Sequence, residues 1–206
     1  MLKVLLFTIC YVLLAMLKIL STGNLEFLFY IAVIAVLICV IGVVHYYVRL
    51  GVGLLWCLSF WGFLHMAGGL VAVPDTWLIQ GDSYVLYNLW LIPHYFKYDQ
   101  LVHIFGFGVT TLLCWQGLSS AFKRSLKPKF GLLVLCVAAG MGFGALNEVI
   151  EFIATLIFPE TNVGGYVNTG WDLVSNLAGC TIAALLIRFR LTGFLENKKR
   201  RIGKVK

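Results

Sequence analysis

Six long apolar runs, separated by short polar segments, constrain what this chain can fold into. They cover residues 2–20, 26–48, 51–73, 100–118, 130–157 and 171–191. As a helix, about 20 apolar residues cross the hydrocarbon core of a bilayer. Backbone polar groups inside a membrane must be satisfied internally, which favours helices for apolar segments of this length. The sequence therefore predicts an all-α polytopic membrane bundle of about six transmembrane helices.

The composition of the chain and the residues that separate the apolar runs agree with this fold class. The chain is 61% hydrophobic and 12% charged, whereas soluble domains carry roughly 25% charged residues. Residues 21–24 separate the first two runs, Pro74 ends the third and Pro159 closes the fifth, as expected of residues that interrupt helices. We predict one transmembrane domain, residues 1–197, followed by a basic tail, residues 198–206.

The first run has some features of a signal peptide, because Lys3 precedes a long apolar stretch. That stretch is longer than the apolar region of most signal peptides, and no small-x-small cleavage site follows it. We therefore expect residues 2–20 to form an uncleaved transmembrane helix.

The basic residues predict the orientation. With the N-terminus in the cytoplasm, the cytoplasmic segments contain 14 of the 16 lysines and arginines, and Lys18 and Lys97 are the exceptions. This asymmetry follows the positive-inside rule and predicts that both termini are cytoplasmic. Because topology accounts for the net charge of +7, we do not expect nucleic-acid binding. The four basic residues 198–201 are expected to contact anionic lipid.

Ionisable residues within or beside the apolar runs point to a functional site. A lipid-facing charge in the hydrocarbon core costs at least ~2.5–3.5 kcal/mol, so such residues usually face the bundle interior and mark function. At 1.5 Å of rise per residue, the predicted topology places six of them in the outer half of the membrane. They are Asp99, Glu148, Glu151, Asp172, His65 and His103.

Helical periodicity predicts that these residues face one another. Four helices each combine polar and small residues at intervals of three or four positions, as expected where membrane helices pack closely. We expect the first two helices, which lack such a stripe, to support the others. The stripes are Leu58, Gly62, His65, Gly69 and Ala72; Asp99, His103, Gly106 and Thr110; Gly140, Gly144, Glu148, Glu151 and Thr155; and Asp172, Asn176, Gly179 and Ala183.

The charge of this cluster has to be compensated. If ionised, its four carboxylates would exceed the charge of two imidazoles, and like carboxylates at close range cannot all stay ionised in a low dielectric. Either shared protons or a bound cation can compensate, and both alternatives are open. Oxygen and imidazole ligands suit zinc, manganese or ferrous iron. The expected ligands of a divalent metal are His65, His103, Glu148 and Glu151.

Some of the polar residues also have structural explanations. Asn147 and Asn176 are expected to form structural hydrogen bonds, which contribute about 0.6 kcal/mol each between membrane helices. Asp99 and Asp172 are predicted to begin their helices, where a carboxylate interacts favourably with the helix dipole. For these two aspartates, a capping role and a catalytic role are both open.

The chain contains three motifs in order: D-x3-H at residues 99–103, E-x2-E at 148–151 and W-D-x3-N-x2-G at 171–179. With these motifs it resembles the YjdF-like family of uncharacterised bacterial inner-membrane proteins. More distantly, the chain is similar to VanZ-like proteins, which are linked to low-level glycopeptide resistance. In those proteins the second motif reads E-x2-Q, so Glu151 departs from it. The resemblance implies a membrane protein of the bacterial cell envelope, without a settled activity.

Two main functions are compatible with these residues. The first is a metal-dependent hydrolase or transferase that acts on a lipid or cell-envelope precursor. In it Glu148, Glu151, Asp172 and Asp99 are the candidate catalytic residues, and a carboxylate that does not bind metal acts as general base. The rival is a proton- or ion-coupled transporter, although no internal repeat is evident. A non-catalytic envelope factor with a structural polar cluster is the third possibility.

Overall fold

The computed structural model describes residues 1–122, 126–193 and 195. Six helices in this part of the chain are long and apolar enough to cross a membrane, which confirms the predicted fold class. The described residues also include one short 3₁₀ helix, Leu86–Asn88, and a two-stranded antiparallel hairpin of β1 (Trp90–Ile92) and β2 (Phe96–Lys97). The six helices are α1 (Leu2–Thr22), α2 (Leu25–Val48), α3 (Val52–Leu70), α4 (Tyr98–Ala121), α5 (Phe130–Ile157) and α6 (Tyr166–Arg188).

The start of α6 differs most from its predicted boundary. The helix begins at Tyr166, five residues before the predicted 171, because hydropathy does not detect a first turn that contains Asn168 and Gly170. Asp172 therefore lies about 9 Å along the helix, at 1.5 Å per residue, and does not begin it as predicted. Asp99, by contrast, does lie in the first turn of α4.

Helix α4 occupies the centre of the bundle, with more of its span buried than any other candidate membrane helix among the described residues. Its closest neighbour is α6. A Cβ atom added at Gly179 would overlap the backbone carbonyl of Ile104, so glycine allows the two backbones to approach. On α5, Gly140 faces Thr111, and Gly144 faces the Asn176 side chain. The small residues of α5 and α6 thus line their packing faces, as predicted.

The stripe on α3 does not point to the same place. Gly62 faces the Tyr11 side chain of α1, and Gly69 faces Phe27 of α2. These glycines therefore serve the packing of α3 against the first two helices. On α5, Thr155 is exposed and donates a hydrogen bond to the Phe152 carbonyl within its own helix (2.7 Å). The prediction that Gly62, Gly69 and Thr155 face the site was therefore wrong. Periodicity gives the angular spacing of residues on a helix but not which neighbouring helix each face meets.

The two ends of the bundle have different characters. Residues 23–24, 71–97 and 158–165 lie at one end, which we call the loop end, and Asn88 and Asn162 join two of these segments through a 3.0 Å hydrogen bond. The hairpin and the 3₁₀ helix belong to this end and were not predicted. The opposite, basic end carries Lys3, Arg49, Lys127, Lys129, Arg188 and Arg190. Lys123, Arg124 and the tail at 198–206, to which we assigned cytoplasmic charge and lipid contact, lie outside the described residues.

Candidate functional site

His103 is the centre of a buried polar cluster near the loop end. Its Nδ1 lies 3.0 Å from Oδ1 of Asn176 on α6 and 3.8 Å from Oε1 of Glu148 on α5. Its Nε2 lies 3.7 Å from Oδ1 of Asp99, one turn earlier on α4. The imidazole therefore links α4, α5 and α6.

The predicted carboxylates converge on this imidazole in two groups. Asp99, His103 and Asp172 form one group, and His103, Glu148 and Glu151 form the other. Within each group, one potential ligand atom from every residue lies within 4.8 Å of the others. The structure thus brings together five of the six ionisable residues singled out from the sequence.

Lys97, which we predicted to lie in an outer loop, adds a positive charge to the cluster. The residue is buried, and its Nζ lies 3.7 Å from Oδ2 of Asp99. It precedes α4 directly, at the end of β2, and the hairpin turns its side chain into the bundle. One ammonium among four carboxylates still leaves three negative charges if all four are ionised. Protons or a bound cation are therefore still needed to compensate the cluster.

Asn168 holds both aspartates and was missed from the sequence. Its Oδ1 accepts a hydrogen bond from Lys97 Nζ. Its Nδ2 donates to Oδ2 of Asp172 at 2.6 Å and, more weakly, to Oδ2 of Asp99 at 3.4 Å. The residue escaped notice because α6 was predicted to begin after it. An i, i+4 spacing from Asn168 to Asp172 was the signal that could have found it.

Several buried polar atoms of the cluster have no hydrogen-bond partner. Oδ1 of Asp172, Oε1 of Glu148 and Nδ2 of Asn176 are all in this state. Buried polar groups are normally hydrogen-bonded, because an unpaired one loses its hydration without compensation. Unpaired carboxylate oxygens aimed into an acidic cluster are the chemistry expected of ligands for a cation or carriers of a proton.

His65 lies near this cluster but outside both groups. Its Nδ1 forms a short hydrogen bond with the Tyr87 hydroxyl. Burial and the nearby Asp99 and Glu151 raise the pKa of Tyr87 well above its ordinary value, so the phenol keeps its proton and can donate to Nδ1 or accept from it. His65 lines the cavity, and its role as a metal ligand stays a prediction.

Asn147 acts within its own helix. Its Nδ2 donates a 2.7 Å hydrogen bond to Oε1 of Glu151, one turn later on α5. This bond fixes one oxygen of Glu151, while Asn176 makes the contact between helices, to His103.

A cavity of about 530 Å³ leads from the loop end to the cluster. Asp99, Glu151, Lys97, His65 and Asn168 line its inner part, and residues 80–83 and 161–167 surround its mouth. His103, Glu148 and Asp172 lie behind this wall. The cavity therefore connects the exterior of the bundle with the acidic cluster.

Helix α2 contributes a further carboxylate to the cavity. Glu26 is buried, and both of its oxygens accept from the backbone N–H of Asn162, at 3.1 and 3.2 Å. We predicted only a supporting role for α2, because Glu26 stands at the edge of an apolar run without a polar stripe behind it. Its hydrogen bonds hold the 158–165 segment over the cavity.

The donor set fits a divalent cation. A single buried imidazole with several carboxylates suits zinc, manganese or ferrous iron. Metal-binding histidines usually donate their other ring N–H to an oxygen, which fixes the tautomer, and Asn176 Oδ1 is that acceptor for His103. Either of the two groups could supply three ligands.

Comparison with known proteins gives a family and no activity. A family model described as "Predicted membrane protein (DUF2238)" matches residues 2–193. No curated protein and no solved structure matches the chain. The family agrees with the YjdF-like resemblance, whereas nothing in these comparisons supports the VanZ-like one.

Proposed function

The chain belongs to the DUF2238 family of predicted membrane proteins, and we propose that it is a metal-dependent hydrolase or transferase acting on a lipid or cell-envelope precursor. One observation carries the proposal. A buried histidine is surrounded by four carboxylates, two of which have an unpartnered buried oxygen, directly behind a cavity that opens at the loop end. Such convergence of ionisable groups in a membrane bundle is typical of functional sites.

Asp99, His103 and Asp172 are the favoured ligands. Each already uses one polar atom in a supporting contact: Oδ2 of Asp99 faces Lys97, Nδ1 of His103 contacts Asn176, and Oδ2 of Asp172 accepts from Asn168. The other atom of each residue is left for a cation. Supporting contacts of this kind orient ligands and are characteristic of metal sites. Glu148 and Glu151 are then available for proton transfer.

The remaining residues have separate roles in this proposal. A bound divalent cation would supply Lewis-acid polarisation of the substrate and activation of water. Glu151 lines the cavity and is oriented by Asn147, so it can take the proton from the attacking hydroxyl. Lys97 also lines the cavity, where its ammonium can attract an anionic group of the substrate.

The cavity favours an amphiphilic substrate. Its volume of about 530 Å³ is that of a small-molecule site, typically ~300–1,000 Å³. Its inner wall is charged, whereas Tyr166 and Val167 at the mouth are 93% and 71% exposed. A polar headgroup in the cavity, with an apolar chain passing these residues into the bilayer, would satisfy both surfaces.

Proton- or ion-coupled transport is the second candidate, because the clustered carboxylates can exchange protons. Transport also needs a route to the basic end. Thr111 and Cys180 are fully buried below His103, between α4, α5 and α6, and their packing argues against such a route. A non-catalytic envelope factor is the third candidate and predicts that no cation binds.

Metal analysis of the purified protein in detergent tests the proposal. We expect about one zinc, manganese or iron per chain in the wild type and in a control, Asp75→Asn/Glu160→Gln, which removes two exposed carboxylates outside the cavity. Asp99→Asn/Asp172→Asn should lose the metal. Glu148→Gln/Glu151→Gln should keep it and lose turnover of phosphoester lipids and envelope precursors.

The other results separate the alternatives. If the glutamate variant lost the metal and the aspartate variant kept it, Glu148 and Glu151 would be the metal ligands instead of Asp99 and Asp172. A wild-type protein that binds no divalent metal, even after reconstitution, would refute the proposed chemistry. Proton sharing would then explain the cluster.

A further inference from the structure

Charges are segregated along the bundle. Eight of the nine acidic residues belong to the loop-end half, and the ninth, Glu196, lies outside the described residues. The basic end therefore has no carboxylate among its described residues. Lys127, Lys129, Arg188 and Arg190, at this end, form no ion pair with a described carboxylate.

Four basic side chains line one cavity at this end. Lys127, Lys129, Arg188 and Arg190 surround about 480 Å³ between the start of α5 and the end of α6. All four residues are exposed, and none forms a described ion pair. Four cations in one recess repel one another, and a bound anion would relieve that repulsion.

The backbone around the cavity also favours an anion. Helix α5 begins at Phe130, and no side chain caps its first N–H groups, so the positive end of the helix dipole is free. The carboxyl end of α6 would repel an anion, but its last carbonyls are occupied. Leu191 N–H donates to the Leu186 carbonyl at 2.9 Å, and Arg190 N–H donates to the Ile187 carbonyl at 3.1 Å.

Exposed aromatic residues indicate that the anion comes from the membrane. Phe130, in the cavity wall, is 82% exposed, and Phe189, between the two arginines, is 69% exposed. Both lie at the ends of membrane-spanning helices, where aromatic side chains meet the headgroup layer. The recess therefore lies at the level of the lipid headgroups, whose phosphates are within its reach.

We propose that this recess binds the phosphate of an anionic phospholipid headgroup, at a site separate from the loop-end cluster. Lys127 and Lys129 approach the phosphate from the start of α5, and Arg188 and Arg190 approach it from the end of α6. The site belongs to the described part of the bundle and does not require the basic tail. A bound lipid would join α5 and α6 at the end opposite to the acidic cluster.

Native mass spectrometry of the full chain in detergent, titrated with phosphatidylglycerol or phosphatidylcholine, measures the binding. The test variant is Lys127→Gln/Lys129→Gln. The matched control is Lys3→Gln/Lys18→Gln, which removes two exposed lysines from α1. Each basic residue near an anionic lipid contributes about fivefold to binding, so the test variant should bind phosphatidylglycerol about 25-fold more weakly. The control and binding of phosphatidylcholine should be unaffected.

A second double variant and a competition experiment with inorganic phosphate complete the test. Arg188→Gln/Arg190→Gln should weaken binding to a similar degree, because it removes the charges on the opposite wall. Inorganic phosphate, at the concentration of the lipid, should not displace phosphatidylglycerol. If the lysine variant and its control lost equal affinity for phosphatidylglycerol, the binding would come from a general surface potential, and the proposed site would be refuted. Equal binding of both lipids, or displacement by inorganic phosphate, would overturn a lipid headgroup as the ligand.

Discussion

Removal of the divalent cation by a chelator should lower the melting temperature of the wild-type protein. The proposed cation compensates buried carboxylates, among them Asp172, whose Oδ1 has no hydrogen-bond partner. Without it, the cluster keeps one ammonium, from Lys97, among four carboxylates. The folded state would then have to take up protons or tolerate repulsion, and both reduce its stability.

Linkage gives the size of this effect. A ligand that binds only the folded state stabilises it by RT ln(1 + [L]/Kd), about 2.7 kcal/mol at a hundredfold excess over Kd. For a chain of roughly this length, 1 kcal/mol shifts the melting temperature by about 2–4 °C. We therefore expect chelation to lower the melting temperature by about 5–10 °C, and added zinc, manganese or ferrous iron to restore it.

Thermal unfolding followed by tryptophan fluorescence in detergent measures this shift. Asp99→Asn/Asp172→Asn should be insensitive to the chelator, because it removes two of the three proposed ligands while keeping similar shape and hydrogen-bonding groups. The control Asp75→Asn/Glu160→Gln should respond like the wild type. Identical chelator responses in the wild type and the aspartate variant would refute the proposed ligand set.

Three further predictions concern the scaffold and its orientation. Lys97→Gln should reduce the free energy of unfolding by about 3–5 kcal/mol, because it removes the ammonium from a buried ion pair with Asp99; unchanged chemical denaturation would contradict this. Gly179→Ala should cost at least ~1–3 kcal/mol through overlap of the new Cβ with the α4 backbone, whereas Gly142→Ala, with open space around its Cβ position, should be close to neutral in the same assay. Reporter fusions after the C-terminus and within residues 76–96 should report opposite sides of the membrane, and reports from the same side would refute the predicted topology.

The sequence by itself determined the helices and the depth of the site. Six apolar runs could satisfy their backbone only as helices, and five of their six boundary pairs agree with the structure to within three residues. The same runs made each buried ionisable residue conspicuous, since such residues are costly in hydrocarbon. Hydropathy and helical rise were therefore enough to single out His103, Glu148 and Asp172, together with their common level in the bundle.

The surroundings of these residues could be decided only by the tertiary structure. Lys97 and Asn168 lie 71 positions apart, in segments that hydropathy assigned to loops. They nevertheless contact each other, Lys97 pairs with Asp99, and Asn168 donates to both Asp99 and Asp172. Periodicity also placed His65 on an inward face but could not show that Tyr87, from the 71–97 segment, would occupy its Nδ1. The physical reason is that local pattern reports the depth and angular spacing of residues on one helix. The rotation of helices against one another, and the path of connecting segments back into the bundle, depend on contacts between residues that are distant in the chain.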